Sequence, residues 1–237
     1  MKSEKILVLT GTSDILRSSE ETDATMQEVF NLTLPSKQRY VKKHGYDLLC
    51  LQSFGSNETN GFQKTHIGFM RLLKAFEMLN YYDIVMWIDA DSLITNLDYK
   101  LQDFQLDEQN CFYASWDWTG KETISTGNFI LKKTEKINEF LNAVIQVGKY
   151  IIETNQWGQE QTTINLIYRN TNLNNKIKIL DHSYLNGVPL ELMEIDCWKN
   201  RQKINYPWNN KHFLAHITGI SNTDRINIIN NIFKDYL

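Results

Sequence analysis

YDIVMWIDADSLI, residues 82–94, runs from apolar positions straight into two aspartates separated by one alanine. Val85, Met86, Trp87 and Ile88 form the kind of unbroken apolar run that a strand buried on both faces shows. Such a strand has no use for Asp89 and Asp91. An isolated carboxylate out of water is costly unless it is paired, hydrogen-bonded or bound to a metal. What neutralises this pair is the question the rest of the chain has to answer.

The flanking segments give the strand its setting. KILVLTG (5–11) reads as a first strand, and YDLLCLQS (46–53) as a second. Between them a helical stretch runs from about Thr25 to His44, interrupted near Pro35 and closed by Gly45. FQKTHIGFMRLLKAFEML (62–79) carries Ile67, Met70, Leu73, Phe76 and Leu79 at mostly threefold spacing, which predicts an amphipathic helix. Strands alternating with such helices predict an α/β fold with a mostly parallel central sheet flanked by helices. Ligands of these sheets bind beyond the carboxyl ends of the strands, where Asp89 and Asp91 fall. Farther on, NCFYASWDW (110–118) and TISTGNFILKK (123–133) read as strands around a loop, and NKIKIL (175–180) as a small strand. TEKINEFLNAVIQVGKYII (134–152) and QEQTTINLIYRN (159–170) read as helices.

The 237 residues hold no internal repeat and no Pro/Gly/Ser-rich linker, so a single domain over 1–237 is expected. A net charge of −3 argues against a general nucleic-acid binder. Cys50, Cys111 and Cys197 lie far apart, which suggests neither a zinc knuckle nor a disulfide framework. No apolar run approaches the ~20 residues of a membrane span. MKSEKILVLTG lacks the core and cleavage site of a signal peptide. The expected setting is cytoplasmic, with the Golgi lumen as the alternative for a trimmed form of an anchored enzyme.

If the strand stays extended through Asp91, the two carboxylates point to one side and can share a divalent cation. Oxygen ligands favour Mn²⁺ or Mg²⁺, which commonly complete their shells with phosphate oxygens, so a nucleotide diphosphate is a natural partner. The plainer alternative is that the aspartates end the strand and cap the next turn. A neutral imidazole from His212 or His216, in HFLAHITG (212–219), could add a third ligand.

With these residues in view the chain resembles glycosyltransferase family 34. Lys64, Asp89, Asp91 and Leu93 match its core pattern of lysine, helix and strand ending in Asp-x-Asp. Thr10-Gly11-Thr12 and Tyr40…His44-Gly45-Tyr46 are similar to its early elements. Asp117-Trp118-Thr119-Gly120 with Ser125-Thr126-Gly127-Asn128-Phe129, Glu160-Gln161 and His216-Ile217-Thr218-Gly219 resemble its later ones, in order. Ser125 replaces the family's asparagine, extra residues lie around Lys121–Thr123, and no basic residue closely follows Gly219, which leaves the metal alone, or Lys64 or Arg225, to steady the departing phosphate.

The resemblance implies a GT-A, Rossmann-like fold and a retaining, metal-dependent transfer of a hexose or pentose from a UDP- or GDP-sugar to a glycan. It implies a nucleotide-binding half over about 1–97 and an acceptor-binding half over about 98–237. Asp89, Asp91 and His216 would hold Mn²⁺ (or Mg²⁺). Thr10, Gly11, Thr12, Lys64, Asp89, Ala90 and Asp91 would bind the nucleotide-sugar. Trp116, Asp117, Trp118, Thr126, Gly127 and Asn128 would bind the acceptor, and Gln161 and Glu160 would flank the anomeric carbon. A phosphatase of the haloacid dehalogenase type and an inactive sugar-nucleotide or glycan-binding module are the rival readings.

Overall fold

The computed structural model describes residues 4–12, 24–51, 58–59, 62–63, 67–118, 123–156, 159–195, 204 and 207–237. In chain order these form β1 (Ile6–Gly11), α1 (Met26–His44), β2 (Asp47–Leu51), the short pair β3 (Glu58–Thr59) and β4 (Phe62–Gln63), α2 (Ile67–Met78), β5 (Ile84–Asp89) and β6 (Ser92–Ile94). Then come β7 (Phe112–Ser115), β8 (Asn128–Lys132), α3 (Ile137–Glu153), α4 (Gln159–Asn170), β9 (Ile177–Leu180), α5 (His182–Leu185), β10 (Leu214–His216) and α6 (Asn222–Ile232). Lys64 lies outside the described residues, as do Thr119–Lys121, Cys197 and the tail of the predicted second strand.

The central sheet has the order β2-β1-β5-β8-β7-β9, and of its described strands β8 alone runs against the rest. Both faces are covered, as the apolar run of β5 predicts. Leu7, Leu9, Val85 and Trp87 face one core with Leu72, Phe76 and Phe140. Ile6, Val8, Met86 and Ile88 face the other with Tyr40, Leu101 and Phe213. The alternation follows from the twofold period of a strand.

Two expectations need correction. The first helix is not interrupted at Pro35: α1 is continuous across it. A proline in a helix interior forfeits one backbone bond, and here the buried stripe of Val29, Phe30, Thr33, Ser36, Lys37, Tyr40 and Val41 holds the helix against the sheet regardless. A capping box between Thr25 and Glu28 starts it, and Gly45, at φ 71°, ends it in the left-handed conformation. The second correction concerns β5, which does not stay extended through Asp91. It ends at Asp89, and the chain turns at Ala90–Asp91 into β6. β6 pairs antiparallel with β10, setting Ser92 opposite His216. A segment more than a hundred residues downstream is thus delivered to the aspartates by backbone pairing.

Candidate active site

Ligand atoms of Asp89, Asp91 and His216 lie within 4.8 Å of one another at the carboxyl end of β5. Asp91 and His216 are buried. The turn at Ala90 achieves what an extended strand was expected to do, because it swings the Asp91 carboxylate back toward that of Asp89. Asp91 Oδ1 stands 3.5 Å from His216 Nε2. His212, the other candidate, is not in the cluster; its Nε2 faces Asn209 Nδ2 at 3.1 Å.

The donor set fits a divalent cation. Asn186 Oδ1 lies 2.9 Å from His216 Nδ1 and suits an N–H there, which turns Nε2 toward the carboxylates as the nitrogen that would bind a cation. The Asn186 amide NH₂ in turn donates to the carbonyl of Trp116 at 2.9 Å. Gly127 passes so close that a Cβ there would lie 2.5 Å from His216 Cε1 and 3.1 Å from Asp89 Oδ2. A side chain would fill the space the cluster encloses. Asn186→Leu removes the acceptor that fixes the imidazole and should weaken Mn²⁺ binding about 10–100-fold, as losses of such supporting bonds typically do. Calorimetric titration in the presence of a nucleoside diphosphate measures this, and an unchanged Kd would show that Asn186 does not orient the ring.

Each aspartate also has its own cation. Arg225 Nε donates to Asp91 Oδ2 at 3.1 Å and to the carbonyl of Ile217 at 3.0 Å. Burial would raise Asp91, but Arg225 and His216 outweigh it and hold the carboxyl well below the usual carboxylate range. For Asp89 burial prevails and raises it, against the pull of Arg71. Arg71 from α2 donates to Asp89 through one nitrogen and to Glu160 Oε1 at 2.7 Å through another. The indole of Trp87 donates to the same Asp89 oxygen at 2.7 Å, so a core tryptophan also braces the site.

Through Arg71 the acid pair is joined to Glu160, at the start of α4. Thr126 ties that segment down: its hydroxyl donates to Glu160 Oε1 and its N–H to Gln161 Oε1, each at 3.3 Å. Gly68 in α2 makes room for the arrangement, since a Cβ there would sit 1.8 Å from Glu160 Oε2. Thr10, Gly11 and Thr12 lie at the end of β1, with Gly11 in register with Asp89. The hydroxyls of Thr10 and Thr12 are buried and find no hydrogen-bond partner among the described residues. Buried polar atoms left so are uncommon and point to a missing ligand or water.

The predicted acceptor residues divide. Trp116, Asp117 and Trp118 are half-buried beside the cluster, with Trp116 packed edge-on against Tyr168 at 5.8 Å. Burial raises the Asp117 carboxyl above its ordinary range. Asn128 is buried, and its amide is engaged with the N–H of Asp89 at 3.1 Å and the carbonyl of Leu185 at 3.1 Å. Arg71, Asn186 and Lys37 were not singled out from the sequence. Arg71 is one of two basic residues within an apolar helical run, and Lys37 lies on the same stripe of α1 as Phe30, Thr33 and Val41.

A mostly parallel sheet flanked by helices, with two aspartates at the carboxyl end of β5 and a histidine brought beside them by β10, gives the protein a GT-A fold. Comparison with known proteins agrees. Residues 2–114 match the sequence model of the galactosyl transferase GMA12/MNN10 family, in accord with the resemblance to glycosyltransferase family 34. Galactomannan galactosyltransferase 1 of Cyamopsis tetragonoloba is 21% identical over 164 residues, 66% of this chain and 35% of that protein. The chain therefore spans about a third of the length of this curated relative. Among solved structures, a glycosyltransferase involved in glycosylation of the major capsid of PBCV-1 superposes with a TM-score of 0.64 at 17% identity, covering 96% of this chain and all of that one. The galactosyltransferase LgtC, solved with donor and acceptor sugar analogs, superposes with a TM-score of 0.54 at 12% identity over 90% of this chain and 87% of that one. Among the described residues no helix is long and apolar enough to cross a membrane.

Proposed function

We propose that the protein is a metal-dependent, retaining glycosyltransferase that moves a hexose or pentose from a UDP- or GDP-sugar to a glycan acceptor. The observation that carries this reading is the Asp89–Asp91–His216 cluster at the carboxyl end of β5, in a chain whose residues 2–114 match the sequence model of a galactosyl transferase family. Bound there, Mn²⁺ or Mg²⁺ would act as a Lewis acid that neutralises charge developing on the diphosphate. Thr10, Gly11 and Thr12 would take the nucleoside, a role that their unpartnered hydroxyls suit, and Lys64 the phosphates. Arg225 is already engaged with Asp91 and supports the cluster rather than the leaving group.

Trp116 and Trp118 offer ring faces for a sugar, and Asp117 a hydroxyl acceptor, with Thr126 and Gly127 behind them; Asn128 contributes by holding the Asp89 backbone. Donor groups before residue 98 and acceptor groups after it would divide the chain into a nucleotide-binding and an acceptor-binding half. Gln161 is an amide and a poor nucleophile, while the Glu160 carboxylate is held by Arg71 and Thr126. Neither is free to attack an anomeric carbon, which favours departure and attack on one face with both residues as electrostatic support.

The test is a screen of UDP- and GDP-sugars for nucleotide release, with Mn²⁺ and with chelator. One donor should release UDP or GDP in metal alone. Metal-dependent binding with no release, even with oligosaccharide acceptors present, would identify an inactive binding module instead. Hydrolysis of phosphate monoesters with no sugar-nucleotide activity would favour the phosphatase.

A further inference from the structure

Lys37, in the middle of α1, is fully buried, and its ammonium has one hydrogen-bond partner among the described residues, Thr33 Oγ1 at 2.9 Å. The Phe30 ring lies 5.4 Å away. The Thr33 hydroxyl passes the bond on, donating to the carbonyl of Ala90 at 2.6 Å. Ala90 is the residue between the two aspartates, so the lysine stands two hydrogen bonds beneath their turn without touching either carboxylate. A buried lysine with so few partners is costly. Methionine would fill a similar volume without that cost, so packing does not account for the charge. Burial draws the ammonium down to about 7, while Asp91 and then Asp89 pull it the other way.

The charges around the turn explain what the lysine can do. The acids are Asp89, Asp91 and Glu160. Arg71 answers Asp89 and Glu160, Arg225 answers Asp91, and Lys37 lies beneath the pair. Among the described residues three acids thus face three bases, with His216, raised against its burial by Asp91 and Asp89, beside them, before any divalent cation arrives. A free cation meets carboxylates that are already countered, whereas a nucleoside diphosphate brings negative charge that restores the balance. We propose that Lys37 sets the cation affinity of this site: its buried charge keeps a free divalent cation weakly held and makes firm binding depend on the diphosphate. This rests on the metal-site reading above. Arg71 and Arg225 touch the carboxylates themselves, so among the described bases named here Lys37 is the one that can be changed without dismantling the cluster.

The experiment is calorimetric titration of Mn²⁺ into the full chain at pH 6, where an ammonium held near 7 is mostly charged, with and without saturating UDP or GDP, for wild type, Lys37→Met and Thr33→Ser. Lys37→Met should bind free Mn²⁺ about fivefold tighter at that pH, less than the scale of one full unit charge because the wild-type ammonium can shed its proton as the cation binds. Its affinity with nucleoside diphosphate present should change far less, so the gain from the nucleotide shrinks. Thr33→Ser keeps the ammonium and its hydrogen bond and should show no tightening. Lys37→Gln, expected to behave as Lys37→Met, covers the case in which the methionine variant fails to fold. Wild type binding Mn²⁺ with nucleotide while both Lys37 variants bind free Mn²⁺ no tighter would overturn the inference and leave the metal site standing. Equal tightening by Thr33→Ser would also overturn it. Wild type that binds no Mn²⁺ even with nucleotide would overturn the metal site and the inference together.

Discussion

Arg71→Met should lower the thermal midpoint by roughly 6–20 °C, the equivalent of about 3–5 kcal/mol in a chain of this size. The Arg71 side chain is 13% exposed and bridges two carboxylates, Asp89 at 19% and Glu160 at 14%. Burial works against its charge, but Asp89 and Glu160 outweigh that and keep the guanidinium protonated. Methionine would fill the volume while leaving two buried acids without a counter-charge, and that is where the cost of breaking a buried ion pair resides. Trp87 still donates to Asp89 and Thr126 to Glu160, so neither acid loses every partner. Two neutral hydrogen bonds do not replace a forked, charge-assisted one. Arg71→Lys should recover part of the loss and no more, since an ammonium cannot reach both acids in the guanidinium's fixed geometry. Differential scanning calorimetry at constant salt measures it; a fall of less than 2 °C for the methionine variant would mean that the bridge does not hold α2 to α4.

The same residue marks the boundary of what could be read from the sequence. β5 was legible because a strand covered on both faces must be apolar throughout, and Ile84–Ile88 are. Asp89 and Asp91 were legible because they break that rule at its end. His216 emerged through the order of matched motifs, while spacing alone left it level with His212. Arg71 and Lys37 were not legible, because a basic residue on an exposed helix face and one buried beneath a carboxylate look the same in a sequence. Asn186 was hidden for a related reason: its role lies in a bond to a histidine thirty residues away. The extended geometry expected through Asp91 failed because Thr33 and the pairing of β6 with β10 fix a turn there instead. Local signals located the acids, but their supporting partners depend on tertiary contacts. Pro35 teaches the same point in reverse, as local chemistry argued for a break and burial of one helix face overrode it.

Asp91→Ala should separate activity from stability in a way that Arg71→Met cannot. Donor turnover should fall at least a few hundredfold, the usual loss when one group that stabilises developing charge is removed. The fold should suffer less. Arg225 loses Asp91 but keeps the carbonyls of Ile217 and Ile220 and the Asn222 side chain, and removing one of two neighbouring acids relieves their repulsion. A loss of about 1–3 kcal/mol is expected, the cost of one unpaired buried hydrogen-bonding group. Mn²⁺ titration of the variant should show weakened binding with nucleoside diphosphate present, while Arg71→Lys, if folded, should retain it. The comparison also discriminates between chemistries. In a haloacid dehalogenase-type phosphatase the first aspartate is the nucleophile, so Asp89→Asn would abolish turnover while leaving an Asp91 variant with a detectable phosphorylated intermediate. In a glycosyltransferase both variants lose metal-dependent turnover and neither forms a phosphoenzyme. Full donor turnover by Asp91→Ala would remove this carboxylate from the cation site and, with it, the reason for the acid pair at the end of β5.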